Sequence, residues 1–210
     1  MTPGPSLIAQ GARDLEVQLS DDAVETLWVL VERLLKWNRR INIVGPCDAT
    51  QAIDRHIHDG LGLLRLLDTP EVSQVTTEWT DIGAGGGFPG LVLAIARPEL
   101  KLRLVEPIAK KIAFARDAIG ALDLQGVEIA NVRLEALEPG VTRGAMSRAT
   151  FAPMEWIERG REFVTQDSLI LATMGGDPVP EVVDAAWRVD RFTLPISKAG
   201  RTTAIIRTET

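Results

Sequence analysis

The sequence is short of several things, and each shortage removes a class of protein. It has no run of eighteen apolar residues, so no membrane span is expected. Its start, MTPGPSLIAQGARDLEVQLS, lacks a basic segment followed by an apolar one and reads as uncleaved and cytoplasmic. Cysteine occurs once, at Cys47, which excludes an internal disulfide and a cysteine-rich zinc site. Histidine occurs twice. His56 and His58 stand among Asp54 and Asp59, but helical residues two apart point in different directions, so no metal site is expected. No internal repeat and no low-complexity tract is present. Positive charge is outnumbered, 23 Lys and Arg against 29 Asp and Glu, leaving a net charge of −6. That balance argues against a protein that coats nucleic acid through a uniformly basic surface.

What is present is enough for one sizeable core: 210 residues, 45% of them apolar. The first 70 residues read as helical. Val24, Leu27, Trp28, Val31, Leu34 and Leu35 fall at 3-and-4 spacing and form one apolar stripe. Ser20 or Asp22 can cap its start, and Asp21, Asp22 and Glu25 suit the positive end of the helix dipole. VGP at 44–46 breaks the chain, a second helix begins near Asp48, and TPEVSQ at 69–74 reads as a linker. Strands and helices then alternate. Strands are expected at 77–83, 101–106, 127–131, 144–149 and 168–174, with helices between them opened by Pro89, Ala109 and Pro153. A helix near 180–186 leads to two final strands, 188–194 and 202–208, with no helix between them. The expectation is an α/β fold: a Rossmann-like parallel sheet with an antiparallel edge, occupying 75–210 behind a helical N-terminal section, 1–70, all in one domain.

TDIGAGGGFPG, residues 80–90, places five glycines in eight positions between a predicted strand and a predicted helix, where open α/β sheets bind ligands. Gly85, Gly87 and Gly90 fit the dinucleotide pattern G-x-G-x-x-G, which alone is weak. Asp81 helps to decide. A nicotinamide dinucleotide would bring its pyrophosphate to this loop, and a carboxylate beside it would repel that anion. S-adenosylmethionine carries no phosphate, and an acid here suits its ammonium group. Glu106 ends the next strand, 21 residues after Gly85, placed to accept both ribose hydroxyls of either cofactor.

The chain resembles the glucose-inhibited division protein B family, the bacterial 16S rRNA guanine-N7 methyltransferases. The resemblance covers nearly all of it and is carried by LLKWNRRINIVG (34–45), RHIHDG (55–60), DIGAGGGFPG (81–90), ARPELKLRLVEPIAKKIAFAR (96–116) and SRA (147–149). It implies a methyltransferase core using S-adenosylmethionine, and a guanine in the decoding region of 16S rRNA as substrate, in the small subunit or an assembly intermediate. It further implies that Gly83 and Phe88 contact the cofactor, that Leu134 and Glu135 lie by its adenine ring, and that Arg148 stands beside it. Two positions depart from the family pattern: Gly60 replaces a common serine, and Met174 stands where many members have a lysine.

Guanine N7 carries a lone pair and no proton, so its methylation needs positioning rather than a general base. This fits a sequence without an obvious catalytic dyad. Arg148 is the candidate catalytic residue, orienting O6 or a phosphate; a salt bridge to Asp81 or Glu106 is its structural alternative. His56, which matches the family motif, is expected to bond a neighbouring helix or the glycine loop. Two clusters could meet RNA: Lys36, Arg39, Arg40 and Arg55, and Lys110 and Lys111 within 101–116. A solvated helix face is the alternative for each. Trp28 is expected in the core, while for Trp37 packing and base stacking both stay open. A nicotinamide-dependent oxidoreductase and a cofactor-free RNA-binding module are the competing functions.

Overall fold

The computed structural model describes residues 2–208. Its centre is a seven-stranded sheet in the order β3-β2-β1-β4-β5-β7-β6. The strands are β1 (Glu78–Ile82), β2 (Lys101–Val105), β3 (Val127–Ala130), β4 (Thr142–Ser147), β5 (Val164–Gly175), β6 (Arg188–Thr193) and β7 (Gly200–Arg207). The first five are parallel, and β7 runs antiparallel to both β5 and β6. The chain reverses its lateral direction between β1 and β4, which lie side by side. That leaves a crevice at their C-terminal ends.

Both faces of the central strands are covered, so β5 reads as a continuous apolar run rather than an alternation. Leu169 and Leu171 face one apolar cluster, and Ile170, Ala172 and Met174 face the other. The second cluster is filled by Trp156 and Ile157 of α8 (Pro153–Phe163), and the Trp156 indole N–H donates to the Leu171 carbonyl at 2.9 Å.

The first cluster holds the N-terminal helices against the sheet. α1 (Pro5–Asp14) and α2 (Asp21–Asn38) lead the chain, and Leu27, Leu30, Val31 and Leu34 of α2 are fully or almost fully buried. Each such side chain contributes about 1.5–3 kcal/mol of burial. Trp28 lies half-buried at the edge of the stripe rather than inside it. Ser20 is the cap of α2, its hydroxyl accepting from the Ala23 N–H at 3.1 Å. Asp48 and Gln51 close a reciprocal capping box at α3 (Ala49–Ala52). A π-helical turn, Ile53–His58, runs on into α4 (Asp59–Leu67). Residues 69–74 are not a plain linker: Pro70 at the first helical position starts a single turn, α5 (Pro70–Ser73). Further along lie α6 (Gly90–Ala96), α7 (Ala109–Ala121) and α9 (Pro180–Ala185). Among the described residues no helix is long and apolar enough to cross a membrane.

Candidate active site

The glycine loop hangs from the strand ends by backbone bonds. The N–H groups of Gly83 and Ala84 donate to the Val105 carbonyl at 2.9 and 3.1 Å. Glu106, almost fully buried, receives the Gly85 N–H on one carboxylate oxygen and the Ile108 N–H on the other, both at 2.9 Å. Each oxygen keeps a further acceptor site. Asp81 lies beneath the loop at 1% exposure and accepts the Gly90 N–H at 3.2 Å. Burial pushes its carboxyl up to about 7, against the lowering effect of the Gly90 N–H and of the Arg148 charge.

Two hollows flank this loop. One, of about 510 Å³, runs between Val105, Pro107 and Ile108 on one side and Leu134 and Glu135 on the other, with Gly83 at its end. Ile108, which no motif marks, is 42% exposed there and offers an apolar face to a flat ring. The other, of about 220 Å³, is bordered by Gly83, Gly85, Phe88, Lys111 and Arg148. Gly83 and Thr150 border both. Gly85 has φ +61°, and a side chain added there would approach no atom closer than a backbone oxygen at 4.0 Å. Space is therefore left where a ligand can reach the backbone.

Arg148 follows β4. Its expected partners were Asp81 or Glu106; the guanidinium instead pairs with Asp59, at 2.6 Å, and donates to the Arg55 carbonyl at 3.0 Å. One guanidinium nitrogen lies 3.5 Å from His56 Nδ1. All three groups come from the π-helical turn and the residue after it. The same Asp59 also holds Arg201 at 2.6 Å. His56 lies over the loop, its ring centroid 4.9 Å from that of Phe88. Burial, with the Arg148 charge, lowers its pKa to about 4, so it is uncharged at neutral pH. Among the described residues no cluster could hold a metal ion.

Lys36, Arg39, Arg40, Arg55 and Lys110 are exposed and make no ion pair among the described residues; Lys111 is half-buried beside the glycine loop. Trp37 packs rather than stands free: its N–H donates to Asp117 at 3.0 Å and its ring meets Phe114 edge-on at 6.0 Å. Asn38, within the LLKWNRRINIVG motif, has a structural part that no sequence pattern announces. Its side-chain oxygen accepts from Ile43 and Val44, at 2.9 and 3.1 Å, and so folds the following loop toward the glycines.

A parallel sheet with an antiparallel edge, a glycine loop after β1 and an acid just after β2 defines the Rossmann-like, S-adenosylmethionine-dependent methyltransferases. The donor set is compatible with that cofactor: a buried carboxylate held by two backbone N–H groups just after β2, an apolar slot beside it, and a buried acid under the loop. The chain belongs to the rRNA small subunit methyltransferase G family, whose model matches residues 23–191. It is 32% identical over 215 residues to ribosomal RNA small subunit methyltransferase G of Myxococcus xanthus, covering 96% of each chain. It is 34% identical over 203 residues to the Azoarcus protein of the same name, covering 95% of this chain and 92% of that one. Among solved structures, TYW2 of M. jannaschii in complex with AdoMet superposes with a TM-score of 0.50 at 12% identity, over 63% of this chain and 68% of that one, a likeness of fold. The protein is thus a small-subunit rRNA methyltransferase using S-adenosylmethionine.

Proposed function

We propose that the protein, acting as one domain over 1–210 in the cytoplasm, methylates N7 of a guanine in the decoding region of 16S rRNA, within the small subunit or an assembly intermediate. The observation that carries this reading is the placement of Arg148. It borders the glycine-loop hollow, clamped by Asp59 and the Arg55 carbonyl, so its remaining donors have a fixed direction.

Gly83, Gly85, Phe88, Glu106, Leu134 and Glu135 would hold the cofactor, with Asp81 acting from beneath. Bound there, S-adenosylmethionine supplies a methyl group on a sulfonium, transferred in line to a nucleophile as the carbon–sulfur bond breaks. The chain's own part is positioning. Guanine N7 has no proton to lose, and the site has no evident base to take one. Asp81 is sealed under the loop, Glu106 is engaged by two N–H groups, and His56 lies on Phe88 with a pKa of about 4. Arg148 can donate to O6 and leave N7 free.

The test is methylation of small-subunit particles, and of naked 16S rRNA, from cells lacking the enzyme, with methyl-labelled cofactor. Label should enter one guanine and sensitise the chain there to reduction and aniline cleavage, the signature of N7 methylation. Label in neither RNA substrate, or at another atom, overturns the reading.

A further inference from the structure

Beyond Arg148, on the side away from the glycine loop, lies a third cavity of about 400 Å³. That size suits a small-ligand site, for which about 300 Å³ is the lower end. A single short strip separates it from the cofactor hollows. Arg148 and Ala149 line both this cavity and the glycine-loop hollow, and Phe151 lines both this cavity and the slot at Leu134. Ala149 holds φ +56°, a left-handed conformation uncommon for a residue with a side chain. Backbone held this way collects at ligand sites.

The walls carry groups that the cofactor site does not use. Asp59, nearly buried, bridges Arg148 and Arg201 and fixes both guanidinium planes. Thr203, on the cavity wall at 1% exposure, has a side-chain oxygen with no partner among the described residues. A buried hydroxyl left unpaired is a cost that a bound polar atom removes. Asp177, exposed, also lines the cavity and makes no ion pair among the described residues.

We propose that this cavity receives the target base itself, swung out of its stack, with Arg201 and Thr203 meeting its O6 side and Asp177 its N1–H and N2 amino edge. The proposal deepens the methyltransferase reading and rests on it. A base stacked in a helix cannot enter a walled cavity of this kind, whereas an extruded one can. Guanine suits these walls because it offers acceptors at N7 and O6 and two adjacent donors on its pairing edge, which one carboxylate can accept together.

The experiment compares wild type, Asp177→Asn and Thr203→Val on small-subunit particles carrying guanosine, or inosine, which lacks the N2 amine, at the methylated position. Asp177→Asn should lower kcat/KM on guanosine about ten- to a hundredfold with cofactor affinity unchanged. Wild type should lose a similar factor on inosine, and Asp177→Asn should lose little more. Thr203→Val removes an unpaired hydroxyl, so it should keep or raise Tm while lowering kcat/KM, which a purely structural role would not do. Both variants at the wild-type rate on guanosine, or an Asp177→Asn defect equally large on both bases, overturns the pocket while the methyltransferase reading stands. A wild type that methylates no rRNA overturns both.

Discussion

Glu106 and Asp81 stand at the C-terminal ends of neighbouring strands, yet they are held differently. Glu106 takes two backbone N–H groups and Asp81 only one, in a place water does not reach. Its carboxyl titrates near 7 when folded, against 3.8 as the ordinary value. Between those values the folded chain keeps a proton that the unfolded chain has released. The Asp81 contribution to stability is therefore full below the ordinary value and is lost as pH rises through about 7. His56, lowered to about 4 from 6.5, works in the opposite sense over most of that range, so the effect must be read as a difference. Asp81→Asn should gain Tm relative to wild type on going from about pH 5 to about pH 8. A difference that stays constant with pH would remove the buried-acid argument. Glu106→Gln tests the other acid: one of its two N–H bonds is lost along with the charge. Cofactor affinity should fall about ten- to a hundredfold in calorimetric titration, with a lowered Tm because the Gly85 end of the loop is released. Unchanged affinity would mean that Glu106 only holds the loop. Both acids were legible from their spacing to the glycines. The backbone N–H groups they receive were not. Nor was the pairing of Arg148 with Asp59, made across 89 positions and through a π-helical turn that no apolar periodicity announces.

Periodicity served well for whole elements and poorly at their margins. The apolar runs of β1, β2 and β5 and the stripe of α2 carry strong patterns, and the structure has all four. β4 begins at Thr142 and β5 at Val164, both earlier than their apolar runs, because ladder bonds continue into polar residues. The segment after α2 shows what the pattern misses most. VGP marks a break, but the break is a clamp: Asn38 holds residues 43 and 44, and buried Ile43 packs onto the glycine loop. A Cβ at Gly86 would sit 2.6 Å from Ile43 Cγ2. Gly86→Ala should therefore destabilise by about 1–3 kcal/mol through overpacking. Ile43→Ala leaves a cavity and costs about 2–5 kcal/mol alone. In the double variant the new methyl enters that cavity, so denaturant unfolding should find it more stable than the sum of the singles. Strict additivity would show that the two segments do not press on each other.

At the scale of the whole molecule, a net charge of −6 must coexist with an RNA substrate. The sequence shows two basic clusters and leaves open whether they are solvated faces. Folding spends some of these charges and gathers others. Arg33 is tied to Asp117 at 2.9 Å, and Lys101 to Glu78 at 2.9 Å. The Arg33 and Trp37 bonds to Asp117 lash α2 to α7, which brings the end of α2 against α7 at Phe114 and Asp117. Val44, just past α2, and Lys111 on α7 then border the same glycine-loop hollow. The proposed basic margin, from Arg39 and Arg40 to Lys110 and Lys111, joins segments about seventy residues apart in the chain. If RNA phosphates follow this margin, Arg39→Gln with Arg40→Gln must weaken particle binding while leaving cofactor affinity intact. Each lost phosphate contact should also flatten the slope of log K against log salt by about 0.7–0.9. Arg148→Gln should differ in kind. It should depress the single-turnover methylation rate more than RNA affinity if, as proposed, Arg148 orients the target base from the edge of the glycine-loop hollow. Binding and single-turnover rates at several salt concentrations separate the two. A double variant with the wild-type slope would return Arg39 and Arg40 to a solvated face and leave phosphate binding to Lys110 and Lys111.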